Sequence, residues 1–329
     1  MNILFTCAGR RISLIESFRR ALSDQRLTGS IIGTDSSPLS AALNVCDYRY
    51  VIPKSDDPSY IDTLLSICDD HDVSLVIPLT DFDLVCLAES REMFSSAGVV
   101  VLVSTLPMVR LCYDKRLTSA FFQKHKVPIP AEFTIEDLET DTVTYPLFIK
   151  PAKGSGSLDS YKIGNAEELR HALDIVSDPI IQEFLTGQEY TIDCLLDFEG
   201  RIINVAPRRR LEVRAGESTK GVMVKNWQII DQAVDMLEKL KAIGPVTVQC
   251  FFDGEQIRFT EINPRFGGGV PLTISAGADY PAQLIRMMRE ERVSPCIGDF
   301  EDDFYMFRYE DAVYLPGKVV HSVPNRGCV

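Results

Sequence analysis

Apolar positions along the 329-residue chain fall into short runs, and what separates those runs changes near residue 106. Before that point, strand-like runs alternate with amphipathic stretches of helical length. Residues 3–7 precede a helix near 11–22, residues 30–34 a helical stretch around 38–45, and residues 48–52 the helix 59–71. Residues 75–79 and 99–103 flank a further helix around 84–97. Strands separated by helices predict a parallel, doubly wound α/β sheet over residues 1–106. Beyond it, Pro107 and a single helix over 108–125 open a second unit, stopped at 126–130 by two prolines that cannot extend it. YPLFIKP at 145–151, AKGSGS at 152–157 and the run 159–163 then read as a hairpin with a glycine-serine tip. A helix over 167–177, strands at 179–185, 190–197 and 201–206, an arginine-rich loop at 207–221 and a helix at 228–240 follow. Residues 280–291 form a last amphipathic helix, and nothing after Pro295 reads clearly. Consecutive strands of this kind give the second part an α+β character.

The stretch VTVQCFFDGEQIRFTEINPRFGGG, residues 246–269, stands apart from the rest. Two alternating runs flank Asp253-Gly254, a strong hairpin signal. Glu261 and Asn263 lie two apart, so both project from one face. A carboxylate beside an amide oxygen makes a hard-ligand pair suited to Mg2+ and unsuited to zinc or iron. Gln249 joins them only with an odd-length connection or a β-bulge, because an even turn puts it on the opposite face. Arg265, two further on, suits bidentate contact with phosphate oxygens. The alternative is a sheet edge carrying solvated polar side chains.

Composition narrows the partners. A formal net charge of -13 argues against nucleic acid and against an anionic membrane surface. No apolar run approaches the roughly 20 residues of a membrane span, and the opening MNILFTCAGRR has no signal-peptide core. The nine cysteines are scattered without CxxC spacing, which fits free thiols in a reducing cytoplasm. The four histidines make no metal motif.

Three further groups carry candidate chemistry. Cys7-Ala8-Gly9, with Asp35 after the second strand, imitates a dinucleotide-binding turn, but one glycine of three leaves NAD binding a minor alternative. Arg10, Arg11 and Asp81 sit at carboxyl ends of strands, where such sheets bind ligands, although helix-start and solvent positions explain them more simply. Lys150 lies in an apolar strand, costly to bury without an anionic partner, and the following loop Lys153-Gly154-Ser155-Gly156-Ser157 can converge backbone N–H groups on an anion. Arg208, Arg210, Arg214 and Lys220 concentrate positive charge just before the metal-ligand hairpin, either as a surface turn or as a site for a substrate carboxylate or phosphate.

Taken in order, Asp114-Lys115, FIKP at 148–151, KGSGS, QEFLTGQEYTID at 182–193 and the series from Gln249 to Arg265 resemble the ATP-grasp family. The resemblance implies a pre-ATP-grasp α/β domain at 1–106 and a two-lobed ATP-grasp domain at 107–312. A lid lobe over about 116–184, a metal and substrate lobe over about 185–312 and a tail at 313–329 complete the expected layout. It implies ATP between the lobes, with Lys115 and Lys150 on the α and β phosphates and the glycine-rich loop as lid. Glu183 and Leu185 would meet adenine through the backbone, and Glu189 the ribose. Gln249, Glu261 and Asn263 would hold two Mg2+ ions, with Mn2+ an admissible substitute. Arg265 would act on the transferring phosphoryl group.

The resulting expectation is a cytoplasmic ATP-dependent carboxylate-amine ligase, or a carbamoyl phosphate synthetase-like variant, passing through an acyl phosphate. Its partners would be a small-molecule carboxylate and an amine, with a homodimer left open. The rival class is an ATP-binding regulatory protein that does not turn the nucleotide over.

Overall fold

In the computed structural model, residues 1–138, 143–154, 159–214 and 216–326 are described. The first unit runs β1 (Asn2–Thr6), α1 (Ile12–Asp24), β2 (Ile31–Asp35), a 3-10 helix (Ala41–Val45), β3 (Tyr48–Val51), α2 (Tyr60–Asp70), β4 (Val73–Pro78), α3 (Leu84–Glu89), α4 (Arg91–Ser96) and β5 (Val100–Val101). Its five strands are parallel, in the order β3-β2-β1-β4-β5. That is the doubly wound sheet expected from the alternation, with two local differences. The stretch expected to be one helix over 84–97 is broken at Ser90, and the expected strand 99–103 pairs only through Val100–Val101.

The expected helix over 108–125 is also two, α5 (Leu106–Tyr113) and α6 (Lys115–Lys124). Asp114 separates them with an extended backbone, and its carboxylate accepts from the Arg116 N–H at 3.0 Å, capping α6. Its backbone bridges Lys153, so the break also ties α6 to the strand that carries the lid motif.

The next elements are β6 (Glu132–Phe133), α7 (Ile135–Leu138), β7 (Leu147–Pro151), β8 (Tyr161–Ile163), α8 (Ala166–Ile175) and β9 (Pro179–Glu183). They build a four-stranded antiparallel sheet, β6-β9-β7-β8, over its own small core of Leu147, Ile149, Ile163, Leu169 and Ile181. The hairpin of β7 and β8 is as expected, while the tip residues Ser155, Gly156 and Ser157 lie outside the described residues.

The third group comprises β10 (Gln188–Leu196), β11 (Ile202–Arg214), β12 (Glu217–Met223), α9 (Trp227–Leu240), β13 (Gly244–Phe252), β14 (Ile257–Asn263), α10 (Val270–Ser275), α11 (Tyr280–Met288), β15 (Tyr305–Phe307) and α12 (Gly317–His321). Its sheet has the order β14-β13-β10-β11-β12-β15. The expected arginine-rich loop at 207–221 is instead the paired strands β11 and β12. Three consecutive arginines on a long strand read as loop because a charge run hides the alternation of faces. Residues 305–307, unread in the sequence, supply the edge strand.

One apolar core joins the first sheet to this large one, with the Phe18 and Phe266 rings meeting edge-on at 5.9 Å. The large sheet and the first unit thus share a core, whereas the small sheet keeps its own. No described helix is long and apolar enough to cross a membrane. The eight described cysteines are free.

The Asp114 cap is testable by denaturation. Asp114→Ala should lower stability by about 1 kcal/mol in a urea melt, with Asp114→Asn retaining most of it. An unchanged midpoint in the alanine variant would show that the cap does not hold the break between α5 and α6.

Candidate functional site

The turn between β13 and β14 spans four residues, with the Asp253 carboxylate accepting from the Glu255 and Gln256 N–H groups. Pairing begins at Phe252 with Ile257 and reaches Cys250 with Phe259. Continued evenly, that register would place Glu261 opposite Val248. Thr260 is an extra residue instead, and beyond it Gln249 stands opposite Glu261 and Thr247 opposite Asn263. The bulge therefore puts Gln249, Glu261 and Asn263 on one face, the condition that an even turn alone would have failed.

That face lines a cleft of about 790 Å³ between the small sheet and the large one. Lys115, Lys150, Lys153 and Gly154 line it from one side, and Glu189, Gln249 and Glu261 from the other. Glu183 and Leu185 line the connection between the two sheets. Asn263 lines a smaller adjoining cavity of about 60 Å³, together with Glu261 and Lys115.

Each cation in the cleft has a structural reason for its position. Lys115 is the first residue of α6; its N–H donates to the Ala152 carbonyl at 2.9 Å and its Nζ to the Gly154 carbonyl at 2.7 Å. Lys150 projects from β7 and is 8% exposed. Burial pushes its pKa down to about 8, against the opposing pull of Glu261, and Lys115 lowers it further. Lys153 approaches the Asp114 carboxylate at 3.9 Å.

Glu189 pairs with Arg210, whose Nη1 also lies 3.5 Å from Gln249 Oε1. Burial raises the Glu189 pKa, with Arg210 pulling against it. The Glu183 carboxylate accepts from the Ala131 N–H at 3.0 Å and lies 3.3 Å from Arg258 Nε. Glu261 carries no ion pair with any described residue, which leaves its carboxylate open to the cleft. With the amide oxygens of Gln249 and Asn263 it forms an all-oxygen donor set that fits Mg2+, which commonly takes few carboxylates and keeps other positions for water and phosphate.

Arg265 is not aimed freely into the cleft: its Nε and Nη2 hold Asp81 at 3.0 and 2.6 Å, and Nη2 lies 3.3 Å from Asn263 Oδ1. Asp81, read above as a solvent position, is therefore a partner of the ligand hairpin. Phe82, beside it and 74% exposed, lines both cavities and went unread. A large aromatic in the turn after β4 was the available signal. Asp35 accepts from the Gly9 and Ser37 N–H groups, which folds its carboxylate back into its own turn.

The four basic residues proposed for a substrate anion do not form one patch. Arg208 is buried against Asp193 at 2.7 Å and donates to Ser218 at 3.2 Å. Arg210 serves Glu189, as above. Arg214 and Lys220 are exposed and meet Glu212 at 3.0 and 2.7 Å. Alternation alone would keep Arg208, Arg210 and Arg214 on one face, but the β11–β12 register shifts between Arg210 and Val213, and beyond that irregularity Arg214 and Lys220 are exposed.

Comparison with known proteins places this geometry. Residues 3–102 match the family model described as PylC-like, N-terminal domain, and residues 176–309 the one described as ATP-grasp in the biosynthetic pathway with Ter operon. A D-alanine--D-alanine ligase from Francisella philomiragia is 30% identical over 94 residues, covering 27% of this chain and 32% of that protein. The chain thus spans about a third of the length of that relative. A carbamoyl-phosphate synthase from Methanobrevibacter smithii is 22% identical over 278 residues, 77% of this chain and 73% of the other. Among solved structures, the biotin carboxylase domain of 2-oxoglutarate carboxylase from Hydrogenobacter thermophilus, in complex with MgADP, ADP and bicarbonate, superposes with a TM-score of 0.73. It does so at 16% identity over 92% of this chain and 73% of that one, a likeness of fold.

Arg208 and Arg214 should differ sharply on truncation. Arg208→Ala leaves the buried Asp193 carboxylate unpaired and should cost about 3–5 kcal/mol in chemical denaturation. Arg214→Ala, at an exposed pair, should cost less than about 1 kcal/mol. Equal costs would contradict the assignment of Arg208 to the framework. Fold and cleft thus agree with the two matched regions, a PylC-like N-terminal domain over residues 3–102 and an ATP-grasp region over residues 176–309.

Proposed function

We propose that the protein is an ATP-dependent carboxylate-amine ligase, converting ATP to ADP and phosphate by way of an acyl phosphate. The observation that carries this reading is the Thr260 bulge, which turns an unpaired Glu261 and two amide oxygens toward a cleft whose other wall is basic. The ligase relatives support the class, and the carbamoyl-phosphate synthase match extends over most of the chain.

In this reading Lys115 and Lys150 neutralise phosphate oxygens, and the backbone around Glu183 and Leu185 receives the base. Glu189, fixed by Arg210, accepts from the ribose. Gln249, Glu261 and Asn263 would hold Mg2+, which when bound supplies charge neutralisation at the phosphates. Two ions are proposed, with Mn2+ an admissible substitute. Arg265, oriented by Asp81, faces the phosphoryl group as it moves to a carboxylate. Phosphoryl transfer depends chiefly on such positioning and charge compensation. The small sheet, with its separate core and the segment containing Ser155, Gly156 and Ser157, would act as the lid that keeps water from the acyl phosphate. The lobe limits proposed are 116–184 for that lid and 185–312 for the metal and substrate side, after a leading domain at 1–106. Small carboxylate and amine substrates, a cytoplasmic setting and a homodimer complete the proposal.

Phosphate release from MgATP in the presence of pooled amino acids tests it. Glu261→Gln should lower turnover on the order of 10³-fold with the fold retained by circular dichroism. Nucleotide binding with no acceptor-dependent release in the wild type would instead indicate a regulatory protein.

Lys150 gives the second test. With its value near 8 against an ordinary 10.5, a bound polyphosphate lifts the pKa again, so binding takes up a proton. Affinity for a non-hydrolysable ATP analogue should be greatest below about pH 8 and fall as pH rises toward 10.5, by up to about tenfold per unit. Lys150→Met should bind more weakly and lose that slope in calorimetric titrations. A slope that persists in the variant would remove Lys150 from the phosphate site.

A further inference from the structure

Next to the Asn263–Arg265 end of the cleft, four arginines close on two carboxylates. Glu217, the first residue of β12, meets Arg11 Nη1 and Arg308 Nη1 at 3.0 Å each and Arg10 Nη2 at 3.9 Å. Arg265 holds Asp81 and is near enough to Glu217 and Arg11 to influence the protonation of both groups. With Glu261, which also acts on Arg265, three carboxylates stand against four guanidiniums and leave an excess of one positive charge, in a chain whose net charge is -13.

The cluster is assembled from distant segments. Arg11 is the N-cap of α1, a 13-residue helix with no acidic residue in its first turn and no side-chain cap, so the positive end of the helix lies at the Arg11 backbone. The Arg308 N–H donates to the Thr219 carbonyl at 2.9 Å, and its guanidinium donates to the Gly268 carbonyl. A Cβ on Gly268 would lie 2.4 Å from Arg11 Nη1 and 2.9 Å from Glu217 Oε1, so a side chain there would push the ends of both groups aside. Burial acts to raise the Glu217 pKa, but Arg11 and Arg308 overcome it and hold the carboxylate low. The place held by the Glu217 carboxylate is therefore an anion position shaped by three separate segments.

We propose that Arg11 and Arg308 form a subsite for a carboxylate of the acceptor substrate, with Glu217 holding its place until the substrate displaces it. The proposal rests on the ligase reading and specifies its substrate class: a small molecule bearing a carboxylate besides the group that reacts. Anchored at Arg11 and Arg308, such a molecule extends along Gly268 toward Arg265 and the Glu261 face. Arg10 is exposed and adds long-range attraction.

Calorimetric titration with succinate, with succinamide as the neutral counterpart, tests the subsite. Glu217→Gln removes the internal competitor and should tighten succinate binding about tenfold over wild type. Adding Arg308→Gln or Arg11→Gln should abolish that gain, and succinamide should bind to none of the proteins. Arg308 is the more exposed of the two, so its variant keeps the test valid if Arg11→Gln fails to fold. Equal succinate affinity in wild type and Glu217→Gln, or a gain that survives loss of both arginines, overturns the subsite. A non-hydrolysable ATP analogue titrated in parallel separates the two readings. Succinate binding without nucleotide binding overturns the ligase reading, whereas nucleotide binding without any succinate response overturns the subsite alone.

Discussion

Thr260 is one residue more than the β13–β14 pairing needs, and the whole candidate site depends on that surplus. An even turn fixes which faces match across a hairpin, and no side chain can later change the parity. The extra residue resets it midway. The ribbon's tip keeps Phe259 and Ile257 in the core, while the part beyond the bulge turns Glu261 and Asn263 to the side of Gln249. The Thr260 hydroxyl donates to the Gln249 carbonyl at 3.3 Å, tying the bulge to the residue whose position it determines.

The charges on the two walls of the cleft follow from that face. Burial disfavours the charged form of Lys150 and Lys115 adds to that; Glu261, and to a smaller extent Glu132, oppose it. An anion between the walls relieves the repulsion, and a cation beside Glu261 compensates that carboxylate in turn. Neither wall is neutral alone, so a polyanion with a divalent cation suits the cleft better than either ion singly. Separate cores make such closure mechanically available. The small sheet packs on its own apolar cluster, while the large sheet is fused through Phe266 and Phe18 to the first unit.

Much of this was legible in the sequence, and the failures share a cause. Alternation of strands and helices gave the parallel sheet, since periodicity reports burial directly. The ligand hairpin was legible up to one unknown, its register, because a bulge is a difference in count between two strands and leaves no composition signal. The helix break at Asp114 was hidden for a related reason: an amphipathic pattern continues through it, and only pairing with Lys153 shows why the backbone extends there. Arg208 and Arg214 look alike in a charge run, yet one is buried on Asp193 and the other exposed on Glu212. Asp81 meets Arg265 across 184 residues, a separation that no local reading reaches.

The three glycines after Arg265 connect these levels. A Cβ at Gly267 would press on Thr247 and Asp193, at Gly268 on Arg11 and Glu217, and at Gly269 on Arg208. Each glycine thus admits a different polar group, and the segment is held from the framework pair on one side and from the anion position on the other. Arg208 and Asp193 are costly to separate because both are desolvated. Glu217 is more exposed and shared among arginines, so its contact is the cheaper one to exchange. A loop held firmly at Gly267 and Gly269 and exchangeably at Gly268 can accept a new carboxylate without disturbing Asn263 and Glu261, which stand on the strand just before it.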